Sequence, residues 1–149
     1  MPLSKTFDEL RKGDVVVTPG RTIAEADIVA FAEQTGDFHP LHVNREWAAA
    51  SGFGEQVAHG MLTLSYAIGL VRLPEHVLAF RRLTDVVFTR PVKIGDTIRT
   101  KVRISRLTVV DGETGIVGLT LHALNQDDRI VCRARLEAQW RRSANQEEL

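Results

Sequence analysis

Residues 35–42 read TGDFHPLH and place a carboxylate, Asp37, and two imidazoles, His39 and His42, within six residues around one proline. A carboxylate and an imidazole held close together and partly desolvated can share general acid/base work near neutral pH. The chain leaves these groups little freedom to separate. Gly36 stands where a left-handed helix cap is expected. Pro40 fixes its own φ and pushes His39 toward an extended conformation. On spacing alone a second reading has equal standing, in which Asp37 caps the next helical turn and the histidines are polar loop residues.

A second feature is AHGML, residues 58–62. Gly60 falls at or just before the start of a strongly apolar helical segment. A helix start presents free N–H groups and the positive end of the helix dipole, and glycine lets a ligand approach the backbone. Such a place suits a carbonyl oxygen that becomes negative during a reaction. Taken alone, an ordinary helix start or packing glycine is the commoner explanation.

The elements that must carry these residues follow from periodicity. DVVVT, residues 14–18, is β-branched and reads as a strand, closed by a turn at Pro19-Gly20. A helix is expected over about 23–35, with an apolar stripe through Ala24, Ile28, Phe31 and Ala32 and a capping box formed by Thr22 and Glu25. A short helical stretch, 45–51, follows the loop. HGMLTLSYAIGLVRL, residues 59–73, is apolar on nearly every face and predicts a central, buried helix stopped by Pro74. From Leu83 the period becomes two: a strand to about residue 92, a turn at Gly95-Asp96, and a strand through Ile98, Thr100, Val102 and Ile104. Asp111-Gly112 marks a hairpin, and alternating strands over 115–124 and 129–140 complete the run. Helices segregated from an antiparallel meander predict an α+β domain with helix packed on one sheet face.

Composition narrows the function classes. The 149 residues suffice for one domain with one core. Nineteen basic and nineteen acidic residues balance to zero, which argues against nucleic-acid binding. The single cysteine, Cys132, forbids an intramolecular disulfide and fits a reducing compartment. The N-terminus lacks a signal-peptide core, and no run reaches the roughly 20 apolar residues of a membrane span, so a cytoplasmic protein is expected. The tail RRSANQEEL is expected to fray.

Together GDFHPLH, AHGML and FTRPVKIGDTI resemble the R-specific enoyl-CoA hydratases, also called MaoC-like dehydratases. The resemblance covers nearly the whole chain. It implies a single hotdog domain over residues 1–149, a long helix wrapped by an antiparallel sheet, usually as a homodimer. It implies reversible addition of water to a trans-2-enoyl thioester of coenzyme A or acyl carrier protein, with no cofactor beyond the coenzyme A of the substrate. Asp37 and His42 match the family's catalytic pair, and Gly60 matches the glycine whose N–H contacts the thioester oxygen. His39 departs from the Asn of the best-studied hydratases, which leaves subfamily and substrate open, and is read as orienting the loop. Two rivals share the fold: an acyl-CoA thioesterase, and a thioester-binding subunit lacking the dyad.

Further residues are assigned more lightly. Ser65 or Tyr66 could bond Asp37 or a neighbouring carbonyl, and equally could be satisfied core hydroxyls. Arg81, Arg82, Arg90 and Lys93 could meet coenzyme A phosphates, although charge runs at strand ends are commonly just solvated. No metal is expected: His39 and His59 lack a second cluster at ligand spacing. His76 and His122 are read as surface or loop residues, and Cys132, Trp47 and Trp140 as packing residues.

Overall fold

In a computed structural model, which describes residues 3–143, eleven elements form a helical layer against an antiparallel sheet. A 3-10 turn, Phe7–Glu9, precedes β1 (Val15–Val17) and β2 (Arg21–Thr22). The helices are α1 (Glu25–Thr35), α2 (Pro40–Val43), α3 (Arg45–Ala50) and α4 (Gly60–Val71). Four long strands follow: β3 (Val77–Phe88), β4 (Thr97–Val109), β5 (Thr114–Leu124) and β6 (Ile130–Arg141). The sheet order is β1-β4-β5-β6-β3, with β2 also paired to β4.

Period-two alternation sorts the strands into two faces. Ile98, Val102 and Ile104 of β4, Val117, Leu119 and Leu121 of β5, and Leu136, Ala138 and Trp140 of β6 all point inward. They pack with Leu62, Leu64, Ala67 and Val71 of α4 in one hydrophobic cluster. Two buried polar groups lie in this seam and are satisfied. Thr100 Oγ1 donates to the Ala67 carbonyl of α4 at 2.7 Å, and Trp140 Nε1 donates to the Lys5 carbonyl at 2.9 Å. Trp140 is fully buried, so its expected packing role holds. Trp47, by contrast, is 46% exposed.

Several sequence expectations need correction. The Thr22–Glu25 capping box does not form. Thr22 lies in β2, where its hydroxyl bonds the Thr97 hydroxyl at 2.7 Å. Helix α1 starts later, and the Asp27 carboxylate accepts from the Ala24 N–H at 2.8 Å. An acidic group at the helix start is thus present, two residues further on. Helix α4 ends at Val71, with Arg72 left-handed (φ 50°), before Pro74 is reached, and it is not buried all round: Met61, Ser65 and Gly69 are exposed. β3 begins six residues before Leu83 and stops at Phe88, so Thr89–Asp96 is loop. Its early half, VLAFRR, is exposed edge strand and lacks the alternation that one buried face imposes. His122 is not a loop residue; it stands half-buried on β5. In the tail, Arg141 belongs to β6, and Arg142 Nη2 pairs with Asp8 at 2.8 Å; residues 144–149 lie outside the described residues.

Candidate active site

The TGDFHPLH segment is built as a cap, a turn and one helical turn. Gly36 closes α1 with φ 78° and donates its N–H to the Ala32 carbonyl at 2.8 Å. Asp37 then forms a side-chain turn, its Oδ1 accepting from the His39 N–H at 3.2 Å. Pro40 occupies the first position of α2, where a missing N–H costs nothing. The N-cap of α2 is His39 itself: its Nδ1 accepts from the Leu41 N–H at 3.1 Å. His39 also meets the Trp47 ring edge-on, with centroids 5.3 Å apart. Its nitrogen is thereby engaged in loop structure, and its ring centre lies 6.1 Å from that of His42.

The segment before α4 is stitched onto this turn. Gln56 Nε2 donates to the His42 carbonyl at 2.8 Å, and the Val57 N–H to the Leu41 carbonyl at 3.3 Å. His42 Nδ1 lies 2.6 Å from the Val57 carbonyl. A carbonyl can only accept, so His42 carries its proton on Nδ1 and offers Nε2 as the free nitrogen. Partial burial, then the neighbouring His59 imidazole, hold the His42 pKa below its ordinary value of 6.5 against the pull of Val57 and Asp37. The shift favours the neutral ring, a base rather than an acid.

His59 completes the cluster, and no role was expected of it. It is 3% exposed. Its ring stacks on His42 with centroids 3.9 Å apart and planes 26° apart. Its Nε2 lies 3.0 Å from the Asp37 carbonyl, and Phe31 covers it at 4.9 Å. The available signal was positional: an imidazole directly ahead of an apolar helix start is too costly to bury without a polar task. Asp37, His42 and His59 each offer a donor atom within 4.8 Å of the others, the spacing of a small cation site. Each imidazole, however, already commits one nitrogen to a backbone carbonyl, and the arrangement equally serves proton transfer.

Gly60 begins α4. The first intrahelical bond runs from the Thr63 N–H to the His59 carbonyl at 3.1 Å, so the N–H groups of residues 60–62 precede the helical ladder. The Phe88 ring leaves no space above Gly60: a Cβ there would lie 3.0 Å from two ring carbons.

Two adjoining cavities meet at His42 and Gly60. One, of about 380 Å³, runs between Phe53, Val57, Phe88, Arg90, Pro91 and Val131. The other, of about 350 Å³, holds Asp37, His59, Met61 and Ser65. The predicted trio of Asp37, His42 and Gly60 is thus brought to one place. A larger cleft of about 620 Å³, beside Leu78 and Glu113–Thr114, holds no imidazole.

The lighter assignments divide. Ser65 lines the Asp37 cavity, but its hydroxyl donates back to the Met61 carbonyl at 2.7 Å. Tyr66 donates to Asp27 at 2.9 Å. Arg90 walls the larger-walled of the two cavities and its Nη1 donates to the Ile130 carbonyl at 2.8 Å. Lys93 is paired to Glu55 at 3.2 Å. Arg82 is paired to Glu137 at 3.7 Å, on the sheet. Cys132 is fully buried, its thiol pushed up to about 11 by burial.

Comparison with known proteins bears on the family and the fold. The chain is 42% identical over 113 residues to protein MaoC of Klebsiella aerogenes, spanning 72% of this chain but only 33% of that one. It is 32% identical to an (R)-specific enoyl-CoA hydratase of Rhodospirillum rubrum, over 68% of this chain and 70% of the other. A solved structure from Archaeoglobus fulgius, described as a monoamine oxidase regulatory protein, superposes with a TM-score of 0.88 at 36% identity, covering 93% and 95% of the two chains. A Mycobacterium tuberculosis protein with a double hotdog fold superposes with a TM-score of 0.88 at 26% identity, over 98% of this chain and 47% of that one. The fold is a hotdog, and with residues 8–124 matching the MaoC like domain profile, the chain belongs to the MaoC-like dehydratase family.

Proposed function

We propose that this protein hydrates trans-2-enoyl thioesters, reversibly, to (R)-3-hydroxyacyl thioesters. The observation that carries the reading is the meeting of Asp37, His42 and the Gly60 helix start at the junction of two cavities. The similarity to a protein named as an (R)-specific enoyl-CoA hydratase supports it.

The chemistry follows from the tautomer. With Nδ1–H tied to Val57, neutral His42 Nε2 and the Asp37 carboxylate are both acceptors, and one water can donate to each. As the water oxygen attacks C3, one acceptor takes its proton. The π electrons of the enoyl group move toward the thioester oxygen, which becomes enolate-like and is met by the Gly60 N–H. The dyad then returns that proton to C2, and the carbonyl re-forms. Hydroxyl and hydrogen thus derive from one water. The thioester itself acidifies C2, so the step needs no metal. Phe53, Phe88 and Val131 line the acyl or pantetheine path, and Arg90 stands at the wall where a coenzyme A phosphate would be met.

The working unit is proposed to be a homodimer in the cytoplasm. β3 is a twelve-residue edge strand that carries Leu78, Phe80, Val87 and Phe88, all more than a third exposed. A long apolar edge of this kind calls for a cover, and a second copy at β3 would close the cavity beside Phe88.

The experiment is an absorbance assay at the enoyl-thioester band with coenzyme A esters of several chain lengths, followed by chiral analysis of the product. Loss of the band with formation of the R alcohol supports the reading. Thiol release without loss of the double bond means a thioesterase instead.

A further inference from the structure

His59 touches both members of the dyad, yet the reaction as written gives it no task. We propose that His59 is a positioning residue whose two contacts do separate work: its Nε2–H fixes the Asp37 backbone, and its ring face fixes and dries His42. The inference rests on the hydratase reading for its kinetic consequences and on geometry alone for its structural ones.

Asp37 is exposed and sits in a turn between two helices. Among the described residues its carboxylate is tied only to the next-but-one N–H, of His39. That bond shapes the turn without fixing where the turn stands relative to His42. The bond from His59 Nε2 to the Asp37 carbonyl, at 3.0 Å, anchors the turn to the start of α4. Gly60 is the next residue, so the anchor ties Asp37 to the same backbone that presents the oxyanion donor.

The stack does something different. One face of the His42 imidazole lies 3.9 Å from the His59 ring. Phe31 of α1 packs on His59 with ring centroids 4.9 Å apart, so the ring is held on a second side chain as well. The stack keeps water off that face of His42, whose side chain lines both cavities. The other charged or titratable groups bearing on His42 are Asp37 and His39 of the turn; Arg90, in the loop after β3, lines the same cavity. His59 Nδ1 is buried with no partner among the described residues. An unpartnered buried nitrogen is costly, so a residue needed merely to fill space would be better served by an apolar ring.

Two substitutions separate the contacts. His59→Gln keeps an N–H able to reach the Asp37 carbonyl and removes the ring. His59→Phe keeps a stacking ring and removes the donor. For His59→Phe, kcat should fall on the order of 10²-fold, the effect of an ångström-scale misplacement, while the acid limb of the kcat/KM profile stays in place. For His59→Gln, kcat should fall less, and the acid limb should move to higher pH as water reaches His42. Wild-type kcat together with a wild-type acid limb in both variants, with melting temperatures unchanged, would overturn the assignment.

A third measurement needs no variant and no substrate. Long-range proton–nitrogen NMR of the wild-type imidazoles near neutral pH should show His59 protonated at Nε2 and His42 at Nδ1. A His59 proton on Nδ1 alone would refute the anchor. If the wild type fails to hydrate any enoyl thioester but shows these tautomers, the hydratase reading falls and the positioning role stands.

Discussion

Substituting Gly60 by alanine separates the chemistry of the site from the stability of the fold. The glycine heads α4 at a φ that alanine accepts, since it is not among the positive-φ residues. Alanine in a helix is favoured over glycine by about 0.5–1 kcal/mol. Against this, the new Cβ would lie 3.0 Å from Cε1 and Cζ of Phe88. Phe88 lines the cavity and is not part of the hydrophobic core cluster, so its ring can retreat by a few tenths of an ångström without opening a core void. The two effects offset, and the melting temperature should move by no more than a few degrees. Activity should behave differently. The methyl group and the displaced Phe88 ring crowd the space in front of the Gly60 N–H, where the thioester oxygen is proposed to lie. Loss of one oxyanion donor typically costs about 10²–10³ in kcat, or about 2.7–4 kcal/mol. Enoyl-coenzyme A hydration and differential scanning calorimetry on the same preparation should thus show a large kinetic defect beside a near-normal fold. A Gly60→Ala protein with wild-type kcat/KM would remove Gly60 from the mechanism.

Three further outcomes are expected. Because burial lowers the His42 pKa, the acid limb of kcat/KM for hydration should lie below pH 6.5. The native state then binds fewer protons at His42 than the unfolded chain between the folded pKa and 6.5, so the same group withdraws stability as pH falls through that window; an acid limb above 6.5 would contradict the assigned tautomer and environment. Cys132, fully buried and with its thiol raised to about 11, should resist alkylation in the native protein and react on unfolding; fast native labelling at neutral pH would disprove the packing at that strand. Gly115→Ala should destabilise by about 1–3 kcal/mol, because its Cβ would fall 2.4 Å from the buried Phe7 ring; chemical denaturation showing no loss would mean that Phe7 is free to move.

How much of this was readable beforehand depended on how local the signal was. The strands from Thr97 onward declared themselves because one face is largely buried, which imposes a period near two over much of their length. The left-handed end of α1 was legible at Gly36 because few other residues adopt φ 78°. The start of α1 was misplaced because Thr22 is claimed by Thr97, 75 residues away, and no local pattern carries that contact. The first half of β3 was missed for a related reason: as an exposed edge it buries neither face consistently. At the site, Asp37 and His42 were evident because they stand five positions apart with a proline between them. Gly60 was evident as a helix start, but its constraint comes from Phe88, 28 positions on. His59 was overlooked because its two partners, Asp37 and His42, lie 22 and 17 residues earlier. Neither the stack nor the hydrogen bond can be seen until the 56–59 segment is laid against α2.

The most direct test of the account is hydration of crotonyl-coenzyme A by the wild type, Asp37→Ala and His42→Ala proteins, with folding checked by circular dichroism. The wild type should consume the enoyl thioester and give the R alcohol, and each variant should be slower by about 10²–10⁴-fold. Folded variants that hydrate the substrate at the wild-type rate would show that Asp37 and His42 do not carry the chemistry.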